Sequence, residues 1–88
     1  MGYFVYILYS QKDNKLYVGC TCNLEQRIKR HNKGQVIATR ERRPFVLIYS
    51  EFFKDKGEAF RKERFLKSLW GSRLKRKILK DFLDRAKP

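Results

Sequence analysis

The sequence predicts a small α+β fold: a three-stranded antiparallel sheet flanked by helices, in the order ββαβαα. Three observations predict it. Three short runs of β-branched, aromatic and aliphatic residues stand at 3–9, 16–20 and 45–49, long enough for strands and too short for helices. Apolar residues recur at helical spacing elsewhere, as at Leu74, Ile78 and Phe82. Capping and turn residues separate these segments, so runs of strands give way to helices packed on the sheet. With 88 residues there is room for one core, and residues 1–88 read as a single domain.

Each element has its local signal. Tyr3–Tyr9 is an unbroken β-favouring run, and the polar segment Ser10–Lys15 turns it back on Leu16–Cys20. Asn23 is an N-cap for a helix over 24–33, and Gly34 is its C′ stop. Residues 35–44 form a basic loop that ends at Pro44. Phe45–Tyr49 is continuously apolar, which predicts a central strand. Lys56-Gly57 precedes a helix from Glu58 to Trp70. Gly71 breaks it, and Ser72 caps a last helix over 73–86.

Charge is the strongest compositional feature. Lys and Arg number 22 against 9 acidic residues, a formal net charge of +13. The excess is spread evenly: +6 over residues 1–44 (9 basic, 3 acidic) and +7 over 45–88 (13 basic, 6 acidic). The fold itself is basic, with no neutral domain trailing a basic tail. Such self-repulsion calls for a negative partner, nucleic acid first and an anionic membrane surface second. Seven Phe, five Tyr and one Trp argue against disorder. No apolar stretch approaches a membrane span, and the N-terminus lacks a signal peptide's basic region and cleavage site. Cys20 and Cys22 are two apart, a spacing that suits neither a disulfide framework nor a CxxC pair. A reduced, cytoplasmic protein is expected.

Polar residues stand where apolar ones belong. On a helical wheel over 58–70, Glu63 falls between Trp70 and Phe60 on the face of Ala59 and Leu66. It reads either as half of an ion pair with Lys67, four residues on, or as a ligand for a hard divalent cation. On the helix 24–33, Arg27 and His31 flank the stripe of Leu24 and Ile28. Arg27 is either a snorkelling side chain or an anion clamp, and His31 either a half-buried histidine or its partner. Tyr6 shares a strand face with Phe4 and Leu8. Tyr17 shares one with Gly19, which removes bulk beside the Tyr17 hydroxyl.

In order and spacing these residues resemble the GIY-YIG nuclease domain, in its small stand-alone bacterial form related to the N-terminal domain of the excinuclease C subunit. Phe4-Val5-Tyr6 stands as the first motif, with Phe in place of the leading Gly, and Tyr17-Val18-Gly19 as the second. Arg27 follows ten residues after Tyr17, in Leu24–Asn32, and Glu63 closes the segment 58–63. The resemblance covers about residues 3–77 and implies a nuclease that hydrolyses phosphodiesters with one divalent metal. It implies Glu63 as ligand of Mg²⁺ or Mn²⁺, Arg27 as stabiliser of transition-state charge, and Tyr6 or Tyr17 as general base with the other orienting the water. His31 assists them and Gly19 keeps the pocket open. A tyrosine serves as base only where a cation lowers its pKa, and Arg27 or the metal is the expected cation. Cys20 follows Gly19 where excinuclease relatives carry Lys.

The basic residues Lys29, Arg30, Lys33, Arg40, Arg42, Arg43 and Lys67 are expected to hold nucleic-acid backbone. DNA is the expected partner, with RNA possible, and any specificity is for structure rather than sequence. The chain is expected to act as a monomer or weak dimer, with a protein partner as a possible source of specificity. DNA repair or recombination is the expected setting. The rival reading is a non-catalytic nucleic-acid-binding module, which has no need of Glu63.

Overall fold

The computed structural model describes residues 2–86. The elements are β1 (Tyr3–Ser10), β2 (Leu16–Thr21), α1 (Leu24–Asn32), β3 (Phe45–Phe53), α2 (Lys56–Lys67) and α3 (Ser72–Arg85). Short 3₁₀ turns span Arg40–Arg42 and Leu69–Gly71. The order is ββαβαα, as the sequence predicts. The three strands form one antiparallel sheet in the order β2-β1-β3.

β1 is the central strand, because only it has a partner on each side. Its side chains fill both faces: Val5, Tyr6, Ile7 and Leu8 are all at most 1% exposed. Val5 and Ile7 join Val18, Ile48, Ala59, Leu66 and Ile78 in a core between the sheet and the helices α2 and α3. Tyr6, Leu8 and Phe45 form the opposite core, with Leu24 and Ile28 of α1 against them. The alternation of the pleat thus assigns α1 one face and α2 and α3 the other. Glu63 and Tyr6 therefore start from opposite sides of the sheet.

The central position expected for Phe45–Tyr49 is corrected: β3 is an edge strand, and it runs on to Phe53. Its continuous apolar character has another cause. The register slips between Ile7 and Leu8, which pair with Tyr49 and Leu47. Ile48 is the extra residue, and two consecutive apolar side chains thereby face the same core.

Helix α1 begins where the sequence places it, with the Asn23 side chain accepting a hydrogen bond from the Gln26 N–H at 3.1 Å. Its stop is Gly34, whose φ of +78° is the left-handed conformation that only glycine adopts freely. Helix α2 is displaced from its predicted span. Asp55 caps it, accepting from the Glu58 N–H at 3.0 Å, so Lys56 and Gly57 lie inside the helix. It ends at Lys67. Trp70 and Leu69 therefore do not continue its inner face and are 84% and 91% exposed, while Phe60 is about half exposed. Ser72 is the first residue of α3 and makes no cap; Gly71 precedes it without a side-chain cap.

The basic segment 35–44 is anchored rather than loose. The buried Ser10 hydroxyl donates to the Arg42 carbonyl at 2.6 Å and accepts from the N–H groups of Lys12 and Asp13. The Arg42 guanidinium reaches the Asp13 carboxylate at 2.7 Å and lies over the Phe45 ring. This clasp holds the segment against the β1–β2 turn. It also seats Thr39, which is fully buried, beneath α1.

Candidate active site

Tyr6 and Gly19 are directly opposed in the β1–β2 ladder, and Leu8 and Tyr17 are opposed two residues along. All four point to the α1 face. Gly19 has its place because a Cβ there would sit 2.4 Å from the Tyr6 hydroxyl. The room that glycine leaves is thus filled by the Tyr6 phenol, not kept beside Tyr17 for a ligand. The Tyr6 and Tyr17 rings lie 6.5 Å apart, and the His31 ring meets both edge-on at 5.9 and 5.1 Å.

His31 is fully buried on α1. Its Nε2 is 3.0 Å from the Tyr6 hydroxyl and its Nδ1 is 2.8 Å from Thr39 Oγ1. The Thr39 hydroxyl gives its own proton to the Val36 carbonyl. Thr39 Oγ1 therefore accepts from Nδ1–H, and Nε2 is left to accept the Tyr6 proton. Burial, with the Arg27 charge adding to it, lowers the His31 pKa to about 4. The imidazole is neutral at pH 7.

Arg27 precedes His31 by one helical turn, and its guanidinium interacts with the hydroxyls of Tyr6 and Tyr17. Its Nε is buried with no hydrogen-bond partner among the described residues. A buried, unpaired guanidinium donor is costly, and an anionic oxygen would satisfy it. Burial raises the Tyr6 pKa; Arg27 pulls it down, while Tyr17 and Glu63 push it up. Arg27 thus acts on Tyr6 in the expected direction, and burial outweighs it.

Glu63 lies on α2 along the β2 edge of the sheet. Its side chain is only 16% exposed and meets Lys67 at 2.9 Å. The ion-pair reading is thus realised, and the charge of the carboxylate still reaches both Tyr6 and Cys20. Glu63 lines a groove of about 410 Å³ together with Tyr3, Cys20, Thr21, Cys22, Lys56 and Phe60. A second groove of about 190 Å³ carries Arg27, Arg30, Gln26 and Asn23 and shares Thr21 and Cys22 with the first. The two grooves meet at the end of β2, with an arginine on one side and a carboxylate on the other.

Other predicted residues divide in two. Arg30 lies in the Arg27 groove, and Lys33 and Arg40 are exposed. Lys29 is exposed and pairs loosely with Glu25 at 3.3 Å. Arg43 is exposed and donates to the Arg40 carbonyl. Arg42 is corrected from an expected backbone-holding residue to a clasp, since Asp13 and Phe45 engage its guanidinium. Lys67 is engaged by Glu63. Thr39 escaped the sequence reading altogether. A threonine in a basic loop carries no periodic signal, and only the Ser10–Arg42 clasp brings it under His31.

A profile described as the GIY-YIG catalytic domain matches residues 2–77. The chain belongs to the GIY-YIG family. A UPF0213 protein of Staphylococcus haemolyticus is 48% identical to this GIY-YIG chain over 67 residues, 75% of the chain and 80% of the relative. A UPF0213 protein of Clostridium perfringens is 51% identical over 67 residues, 75% and 71% of the two. The solution NMR structure of the UPF0213 protein BH0048 from Bacillus halodurans is 40% identical, has a TM-score of 0.54, and covers 93% of this chain and 85% of that one. The GIY-YIG catalytic domain is a nuclease fold. No helix among the described residues of this GIY-YIG chain is long and apolar enough to cross a membrane.

Proposed function

We propose that the chain is a metal-dependent endonuclease that hydrolyses DNA phosphodiester bonds as a single catalytic module. The observation that carries this reading is the buried Arg27 Nε without a partner, set against two tyrosine hydroxyls. A phosphate oxygen at that point would take the donor that the protein leaves unpaired. A purely structural arginine would find a carboxylate or carbonyl instead.

The residues fit a hard divalent cation. Among the described residues no three His, Cys, Asp or Glu side chains gather round a point. Glu63 is a lone carboxylate, which suits Mg²⁺ or Mn²⁺, ions commonly held by one or two carboxylates together with substrate phosphate and water. Zinc does not fit, because both His31 nitrogens are engaged and Cys20 and Cys22 alone are too few soft ligands for a tetrahedral site. When bound at Glu63, the ion would supply neutralising charge to the phosphate. Arg27 binds the phosphate from the other groove and faces the charge that grows on its oxygens.

The proton of the attacking water passes to the tyrosine pair. Tyr17 is the more open of the two, and Tyr6 is sealed from solvent. Tyr6 in turn has an acceptor for its own proton, the neutral His31 Nε2. Tyr6 does not pre-ionise at neutral pH, because burial holds its pKa up. It takes part through its hydrogen bond to His31 Nε2, which fixes the direction of its hydroxyl beside Tyr17. Lys29, Arg30, Lys33, Arg40 and Arg43 hold the strand through its phosphates. This grip is independent of sequence, so selection falls on the shape of the nucleic acid, as at branches and flaps met in repair or recombination.

The test is cleavage of branched and single-stranded DNA with Mg²⁺ or Mn²⁺. Glu63→Ala and Arg27→Ala should each lower the rate by roughly a hundredfold or more while DNA still binds. Equal cleavage by wild type and both variants would sink the proposal. Tyr6→Phe and Tyr17→Phe, assayed across pH, separate the general base from the orienting hydroxyl, since the base variant loses the pH dependence along with the rate. Binding without any cleavage by the wild type would favour the non-catalytic module.

A further inference from the structure

We propose that the corner between α2 and α3 is a stacking platform for unpaired nucleobases, with Trp70 as its surface; this rests on the nucleic-acid reading above. Leu69 and Trp70 are 91% and 84% exposed, far beyond what a core-forming residue tolerates. The pair is not frayed. The Ser68 hydroxyl donates to the Phe65 carbonyl at 2.6 Å, and the Gly71 N–H donates to the Ser68 carbonyl at 3.2 Å. Gly71 is buried against the end of α2, where a Cβ would lie 2.3 Å from the Phe65 carbonyl oxygen and 2.7 Å from Leu66 Cα. The chain can pass this point only as glycine, and the tight passage turns residues 69 and 70 outward on a rigid base.

Charge identifies the occupant. Residues 61–77 hold eight basic side chains and one acidic one, Glu63. A second copy of the chain would bring an equal charge against it and be repelled. A polyanion with exposed aromatic faces is the complementary ligand. Single-stranded nucleic acid has such faces, and duplex nucleic acid keeps them stacked away. The platform stands three residues past the end of the helix that carries Glu63. A base held there belongs to the strand that enters the Glu63 groove, and it gives preference to substrates with an unpaired segment.

Trp70 is the only tryptophan in the chain, so its emission reports the platform alone. Oligothymidylate and a matched duplex, both fluorescein-labelled, are titrated without divalent metal while anisotropy and tryptophan emission are followed. Stacking should quench the emission with the single strand and much less with the duplex. Trp70→Ala should weaken single-strand binding roughly five- to a hundredfold, the span of one base–aromatic stack, and leave duplex binding within about twofold. Trp70→Phe should keep most of the single-strand affinity. Single strand that binds with unquenched emission, or an equal loss on both DNAs in Trp70→Ala, overturns the platform and leaves the nucleic-acid reading standing. Failure of the wild type to bind either DNA overturns both. Sedimentation showing a wild-type dimer that Trp70→Ala dissolves would make the corner an interface between copies and overturn the platform.

Discussion

Glu63 and Lys67 illustrate how one residue serves two demands. A carboxylate only 16% exposed needs a cation, and Lys67 supplies it at 2.9 Å from the next turn of α2. A divalent ion at Glu63 must displace that ammonium group. Lys67 is half exposed, so the pair is worth little, on the order of 0.2–1 kcal/mol. Lys67→Ala should therefore tighten Mn²⁺ binding by about two- to fivefold, counted by the loss of free-ion electron paramagnetic resonance signal; unchanged or weaker binding would refute the competition. His31 carries a pH signature. Its pKa falls from an ordinary 6.5 to about 4 in the fold. The unfolded chain binds the proton more readily, so stability is fully present above pH 6.5 and is lost as pH falls toward 4. Thermal melts should drop through that window, and His31→Gln should flatten the drop.

Two glycines show what an element needs from its neighbours. At Gly19 an added Cβ meets the Tyr6 phenol, which His31 and the ladder hold in place. Gly19→Ala should displace Tyr6, lower stability by about 1–3 kcal/mol, and remove cleavage more completely than it removes folding. At Gly71 the obstacle is backbone, which cannot rotate away. Gly71→Ala should lower the melting temperature further than Gly19→Ala, because α2 and α3 must separate to admit it; a smaller shift would contradict the geometry. The sequence showed why β2 needs glycine near a tyrosine but named the wrong tyrosine. Alternation along one strand tells which residues share a face, whereas the ladder register decides which of them meet across strands. Likewise, the wheel over 58–70 found Glu63 among apolar residues yet assumed a helix that ran to Trp70. Asp55 starts α2 earlier and Gly71 forces its end, so the inner stripe stops at Leu66.

At the scale of the whole molecule, charge and site are coupled. A net charge of +13 on 88 residues accompanies a carboxylate, Glu63, whose groove adjoins that of Arg27 through Thr21 and Cys22. DNA affinity should fall linearly with salt on logarithmic axes, with a slope of several units. An affinity that ignores salt would remove the phosphate grip from the proposal. Removing Arg42, by contrast, should cost stability more than salt-dependent binding, because Asp13, Leu16 and Phe45 engage it within the fold. The Arg42 partnership also lowers the Asp13 pKa to about 2, so the clasp is present above pH 3.8 and loosens below it. By itself the sequence determined the order ββαβαα, the basic character of the whole chain, and the residue types and spacings that belong to the GIY-YIG family. Those are local or compositional properties, written in periodicity, caps and counts. Tertiary structure alone decided that β1 is central, that Thr39 holds His31, that Arg27 keeps a buried donor unpaired among the described residues, and that Trp70 stands in solvent. Each of those depends on distant segments meeting in one place, which no pattern along the chain encodes.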